Sequence, residues 1–516
     1  MNLPALFGNP MRHPLVLGLA ILYLVGVLAL PGVARVVFIL AGAVVLLLIS
    51  NVRAGSLNRV LAVAELTWKA AFRFRLFWVM LGLLLASVFV LPLLLKHDGT
   101  ARGLAQIMLT YTLSLITALL GLSTLWLACG TLARDIEECQ LQVVAVKPIS
   151  RWEIWLGKWL GLLLLNACLL AIAGGSVYFL LLWRAQGLSP AEQQVLHKEI
   201  FVARASLKEP APDLEQRVEA EFQRRLQQVP VPPEQQPALR AELLQQFKAG
   251  VQVVPPNYLR LRSVDFGYRK HLVQDQPLYL RVKFHVAQTN ASGTYLGRWY
   301  IGPTNDPQRM VSLELKLADN AFHEIEIPPN LLDAAGKLNV LFQNAEPVVL
   351  LFPLEDGFEV LYREGGFELN FLRGLLIILC WLALLAALGL AAASLLSFPV
   401  AAFISASVLM IALSSGTLAS VVDEGSLLGP NPETGVRAAL GRTDALFIPL
   451  FKAILWVLNL VQAFSPVDAL STGRSISWWL LAKAFLHIVV LLGGVLAALG
   501  ITCFNRRELA TAQSNV

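Results

Sequence analysis

Apolar runs of membrane-crossing length alternate with short polar stretches along most of this chain, and one long polar block interrupts them. Residues 76–95, 104–129, 155–183, 372–396, 401–422 and 478–504 each approach or exceed the roughly 20 apolar residues that carry a helix through a bilayer. Two shorter runs, 15–30 and 36–49, are joined by Pro31-Gly-Val-Ala-Arg35. They read as a transmembrane hairpin over residues 1–50 rather than as a cleaved leader. The run 447–464 carries Pro449, Lys452 and Asn459 and is short for a full span, so it is expected to dip in and return as a re-entrant segment. On this count the chain has about eight transmembrane helices.

The polar block over residues 184–369 changes its period along its length. Its first part, 184–257, reads as helical: Ser189-Pro190-Ala-Glu192 is a helix start with proline at the first helical position. Leu214, Val218, Phe222 and Leu226 then step by four, and Leu239, Leu243 and Phe247 repeat the step before Gly250. From residue 258 to 369 the period falls to two. Leu278, Leu280, Val282, Phe284 and Val286 alternate with Tyr279, Arg281, Lys283 and His285, and Val311, Leu313, Leu315 and Leu317 follow the same rule. Turn signals such as Asn290-Ala-Ser-Gly293 and Asp356-Gly357 separate these stretches. Short strands on this spacing predict an antiparallel β-sandwich, immunoglobulin-like or jelly-roll. The expected fold class is therefore a polytopic α-helical membrane protein with an inserted helical plus antiparallel β-sandwich domain.

Composition agrees with that reading. Of the 516 residues 56% are hydrophobic and 15% charged, and mean hydropathy is +0.63, whereas soluble domains carry about 25% charged residues. The net charge of +6 comes from basic residues beside apolar runs, which argues against a nucleic-acid partner. Cysteines 129, 139, 168, 380 and 503 lie in or next to apolar runs, without disulfide-framework or metal-ligand spacing. Lysine and arginine in the short loops place both termini and residues 131–154 in the cytoplasm, and residues 184–369 outside it.

Residues 131–154 form the most distinctive polar stretch. A helix starting near Asp135 would carry Asp135, Glu137 and Glu138 at the positive end of its dipole and Lys147 at the negative end, with Pro148 stopping it. A solvated loop between two spans accounts for the same residues. Glu137-Glu138, a short apolar helix, then Pro148-Ile-Ser-Arg151 followed by Gly157-Lys158 resembles the intracellular loop of ABC transporter permeases of the type-2 exporter class. The match is best from Arg134 to Gly161, and the order of membrane segments extends it over most of the chain. Cys139-Gln140 stands where that family usually has Gly-Thr.

The resemblance implies a cytoplasmic coupling loop at 131–154, in which Asp135, Glu137, Glu138, Lys147 and Arg151 meet an ABC ATPase subunit dimer. ATP and Mg would sit on that partner, with no cofactor on this chain. It implies three core transmembrane helices within residues 51–183 and three within 370–516, a second permease copy or related paralogue, and export across the plasma (bacterial inner) membrane. Residues 51–75 interleave Arg53, Arg59, Lys69, Arg73 and Arg75 with Leu57, Val60, Leu61, Leu66, Trp68 and Phe72, as in a helix lying in the membrane interface. Glu65-Leu66, Trp68 and the Arg73-x-Arg75 pair resemble the elbow helix of the same family; the ordinary positive flank of the next span is the alternative.

Other chemistry is sparse. No Gly-x4-Gly-Lys-Ser/Thr, His-Glu-x-x-His or Gly-x-Ser-x-Gly occurs, so neither an ATP site, a metal site nor an enzymatic role is expected of this chain. Lys452, Asn459, Lys483 and His487 are the polar candidates within apolar segments. Lys483 reads either as a snorkelling residue or as a functional one, and His487 either as a packing hydrogen bonder or as a proton relay. Trp152, Trp155 and Trp159 are expected in an interfacial aromatic belt, and Gly157-x-x-x-Gly161 is a small-residue packing motif. Membrane lipid is an expected partner. The alternative function is a membrane-anchored binding or scaffold protein whose β-sandwich holds an extracytoplasmic partner, without transport.

Overall fold

The structure, a computed structural model, describes residues 54–73, 76–94, 99–141, 147–210, 213–228, 236–286, 293–354, 356–424, 442–462 and 464–507. The expected hairpin at 1–50, Arg75 and residues 142–146 lie outside the described residues. The chain divides into two compact units: a helical one, up to Phe201 and from Phe367 onward, and a mixed one, Val202–Gly366.

The helical unit opens with α1 (Ala54–Arg73), α2 (Leu76–Leu94), α3 (Ala101–Glu137), α4 (Arg151–Ala185) and the short α5 (Pro190–Val195). Thr100 caps α3, its hydroxyl accepting from the Gly103 amide at 3.0 Å. At 37 residues α3 is about 55 Å long, well beyond the ~30 Å of a hydrocarbon core. No breaker follows its apolar run, so the helix continues through Arg134 and Asp135 and ends only where Cys139 turns to φ +58°. Ser189 caps α5 as the sequence predicts, with Pro190 at its start.

One boundary needs correction. Residues 184–201 belong to the helical unit, not to a helical segment running from 184 to 257. Glu192 accepts from the Ala101 amide at 2.7 Å, and Glu199 pairs with Arg102 at 2.5 Å, which fastens this stretch to the start of α3. The mixed unit then starts with a strand where helix was expected, β1 (Val202–Lys208). Next come α6 (Leu214–Gln228) and α7 (Gln236–Gln252), which share Val218, Phe222 and Leu243 as a small core of their own.

The remaining strands are β2 (Val253–Val254), β3 (Leu259–Asp265), β4 (Leu278–Val282), β5 (His285–Val286), β6 (Thr294–Ile301), β7 (Val311–Ala318), β8 (His323–Ile327), β9 (Lys337–Asn344), β10 (Leu350–Leu351) and β11 (Phe358–Gly366). They form antiparallel sheets in the orders β1-β11-β4-β8, β2-β10-β5 and β3-β9-β6-β7. The period-two pattern is the cause. Leu278, Leu280 and Val282 of the first sheet and Trp299, Val340 and Phe342 of the third turn into one core. Phe352 lies within that core, 5.1 Å from the Phe342 ring. The sheet region thus spans Val202–Gly366 rather than 258–369.

The helical unit resumes with α8 (Phe367–Leu395), α9 (Phe398–Leu413), α10 (Ser415–Glu424), α11 (Arg442–Gln462), α12 (Pro466–Ser471) and α13 (Trp478–Arg506), the last with a π-type stretch at Phe485–Gly493. Helices α3, α4, α8 and α13 are long and apolar enough to cross a membrane, and α9 with α10, bent by 56° between them, would make a fifth. Over the segment 447–464, α11 runs unbroken through Pro449 to Gln462. Its inward positions, Ile448, Phe451, Ile454, Leu455 and Leu458, recur at helical spacing, and no turn residues interrupt them.

Candidate functional site

The predicted coupling residues gather where α3 ends and α4 begins, but in a different geometry from the one expected. Asp135 and Glu137 form the carboxyl-terminal turn of α3 instead of opening a new helix. They therefore sit at the negative end of a helix dipole, which is unfavourable unless each finds a partner. Each does. Lys158 of α4, buried, donates to Asp135 at 2.5 Å and to the Thr131 carbonyl at 2.8 Å. Glu137 accepts from the Phe398 amide at 2.9 Å and so caps the amino end of α9, where an anion is stabilised. Arg134 lies 4.6 Å over the Phe398 ring, and Trp126 meets the same ring edge-on at 5.0 Å.

Arg151, expected to face a partner, is likewise engaged within the chain. Its Nη1 lies 2.6, 2.9 and 2.8 Å from the carbonyls of Phe504, Asn505 and Arg507, the unsatisfied acceptors at the end of α13. Arg507 in turn reaches the carbonyls of Ala393, Ser394 and Leu396 at 3.2–3.5 Å, the end of α8. Glu138 and Lys147 are exposed, and among the described residues Glu138 takes a 2.7 Å bond from Gln140. Of the stretch between α3 and α4 the described residues are 138–141, where Gln140 and Leu141 are helical, and 147–150; Glu138, Cys139, Gln140, Lys147 and Pro148 are exposed there.

In the first turn of α4, a second set of contacts holds α1. Glu153 is fully buried and accepts from Arg59 at 2.7–3.1 Å, from the Ser56 hydroxyl and from its own helix start at the Ser150 amide, 2.8 Å. Beyond it Gly157 and Gly161 admit α1 at close range. A β-carbon on Gly157 would fall 2.6 Å from Val63 Cβ, and one on Gly161 2.7 Å from Thr67 Cβ. Of the elbow residues, Glu65 pairs with Lys69 at 2.7 Å on the outer side, and Trp68 stacks obliquely on Phe72 at 5.0 Å. Arg73 ends α1, and Arg75 is outside the described residues.

Trp155 is buried against Gly500, and Trp159 donates to the Ala383 carbonyl at 2.9 Å. Among the intramembrane candidates, Lys452 and Asn459 lie seven residues apart on the exposed side of α11, not in a turn. Lys483 sits 5.4 Å from the Trp479 ring. His487 holds the Lys483 carbonyl through Nδ1 at 2.8 Å and leans on Phe464, 5.9 Å between rings. That is the behaviour of a packing residue. The structure brings neither pair to the loop end of the bundle.

Sequence reading missed Glu153, Arg59, Lys158 and Arg507 as a polar system. Only Glu153 carried a local signal, the Ser150-x-x-Glu153 spacing of a capping box. It also missed a buried Thr124–Asn166 contact, 3.0 Å, between α3 and α4, and Asn370, which holds the Arg474 carbonyl and the Ile476 amide at 2.7 Å each. Among the described residues no three His, Cys, Asp or Glu side chains converge. No family model, curated protein or solved structure matches the chain.

Proposed function

We propose that this chain is the membrane subunit of a type-2 ABC transporter, moved by ATP hydrolysis on a separate ATPase subunit to export a substrate. The observation that carries the proposal is that α3 and α4, two long apolar helices, have their facing ends anchored within the helical unit at Asp135, Glu137 and Arg151. Anchoring makes these ends a handle: force applied at the exposed Glu138 and Lys147 passes into α3 and α4. The lack of any Gly-x4-Gly-Lys-Ser/Thr in the chain supports placing ATP on the partner. In this reading Glu138 and Lys147 meet the ATPase, while Asp135, Glu137 and Arg151 fix the loop's position.

Affinity purification at native expression, with mass spectrometry of what accompanies the chain, tests the class directly. The expected result is an ATP-binding-cassette ATPase in stoichiometric amount. Reversing both exposed charges, Glu138→Lys with Lys147→Glu, is expected to lower recovery of that ATPase and its stimulation by about tenfold or more, since truncation of interface charge pairs commonly has effects of that size. Membrane insertion of the variant should be unchanged. Normal recovery and normal stimulation together would refute the assignment of the loop.

A second reading, an anchored binding protein, draws on the outer face of the third sheet. Tyr258, Leu259 and Leu261 are each about half exposed there, beside Leu341 and Tyr300 across the ladder. Recovery of envelope proteins and no ATPase would favour it.

A further inference from the structure

Three chain segments meet at the loop end of the helical unit, and each holds the next with one group. The first segment is the end of α3 with the start of α4, the second is the end of α13, and the third is the turn from α8 into α9. Arg151 on the first donates to the carbonyls of Phe504, Asn505 and Arg507 on the second. Arg507 on the second donates to the carbonyls of Ala393, Ser394 and Leu396 on the third. The Phe398 amide on the third donates to Glu137 on the first. The donors run one way around a closed ring.

Across each contact the charge suits the helix end it meets, the two cations reaching carboxyl ends and the anion an amino end, although Glu137 and Arg151 oppose the dipoles of the helices that carry them. Each link also satisfies backbone groups that a helix end leaves unpaired, so no link opens without exposing acceptors or a donor. We infer that this ring is a positioning relay: Arg151, Arg507 and Glu137 make the end of α3 with the start of α4, the end of α13 and the α8–α9 turn shift as one body. A push on the first segment reaches the last helix and α9 together, although Arg151 touches only the one and Glu137 only the other. What pushes rests on the transporter reading. The ring itself does not.

The relay predicts action at a distance, which a set of merely local caps does not. In amide hydrogen exchange on the purified full-length chain, Arg151→Met is expected to speed exchange in residues 500–507, which it touches, by about tenfold or more. It should also speed exchange several-fold in residues 393–402, which it does not touch. Glu137→Ala, at an exposed side chain, provides the reverse test: exchange rises at 393–402 directly and at 500–507 through Arg507. Exchange changes confined to the contacted segment in these variants would overturn the relay. If Arg151→Met does not fold, Glu137→Ala decides alone, by the rate at 500–507. The measurement needs no ATPase, so it can fail while the transporter reading stands, and the reverse.

Discussion

Glu153 is a carboxylate with no exposed surface, and it survives there because three donors meet it: the Arg59 guanidinium, the Ser56 hydroxyl and the Ser150 amide. A buried ion pair adds little net stability by existing, but stripping one partner strands the other. The two ends of this pair are not equivalent. Arg59 is about one-third exposed, so a lone Arg59 can be hydrated, whereas a lone Glu153 cannot. Arg59→Met is therefore expected to lower the thermal midpoint of the solubilised chain by several degrees. Glu153→Gln, whose amide oxygen still accepts, should lower it less. Static light-scattering melts of the two variants side by side check the order, and an equal or reversed order would mean the pair is solvated in a way the geometry does not indicate.

At the scale of elements, the α1–α4 contact is set by two missing side chains. With Val60 and Ala64 carbonyls only 2.8 Å from the added β-carbons, Gly157→Ala and Gly161→Ala must push a backbone rather than a flexible side-chain tip. Each is expected to destabilise by ~1–3 kcal/mol. Gly175, further along the same helix with nothing within 4 Å of its β-carbon, is the control: Gly175→Ala should be neutral or gain up to ~1 kcal/mol from helix propensity. Thermal melts of the three variants separate packing from propensity. Gly157-x-x-x-Gly161 was readable as a packing motif because it is local, as were the apolar spans, the cap at Ser189 and the alternation of β4 and β7. Strand β1 was not. Its residues, Val202–Lys208, alternate only weakly, and they become a strand because β11, more than a hundred residues later in the chain, pairs with every one of them. The site divides in the same way. Its acidic and basic residues stood out, but the contacts Arg151 makes within the chain did not, since its acceptors are backbone carbonyls at the far end of the chain and any side-chain sequence there would present them. The helix expected to start at Asp135 failed for a related reason: α3 lacks a stop signal until Cys139, and its acids are neutralised by Lys158 and an amide that sequence spacing does not bring near.

Across the whole molecule, burial differs sharply among the helices that can cross a membrane. Half of the apolar window is covered in α4 and α8, but only 22% in α13. With Phe403 and Met410 of α9 and Leu486 and Val490 of α13 uncovered as well, these two helices present apolar faces that the chain's other described residues do not cover. The mixed unit, by contrast, closes on itself. Its first and last residues, Val202 and Gly366, are paired across the β1–β11 ladder, so the chain enters and leaves the unit at neighbouring points. An insertion with adjacent ends adds no long closure to the host and carries its own core, here built from Trp299, Phe342, Phe352 and Val360 among others. Two consequences follow from that geometry. Residues 202–366 expressed alone should be soluble without detergent and unfold in one cooperative step in circular dichroism. The full chain with that stretch replaced by a short glycine-serine linker between Phe201 and Phe367 should still insert into membranes, because the Phe201 and Phe367 rings, tilted against each other at 5.5 Å, already hold the junction together. If the excised unit aggregates and the shortened chain is degraded, the two units depend on each other for folding. If both survive, the inserted unit is a folded module independent of its host, and the helical unit reaches the membrane without it.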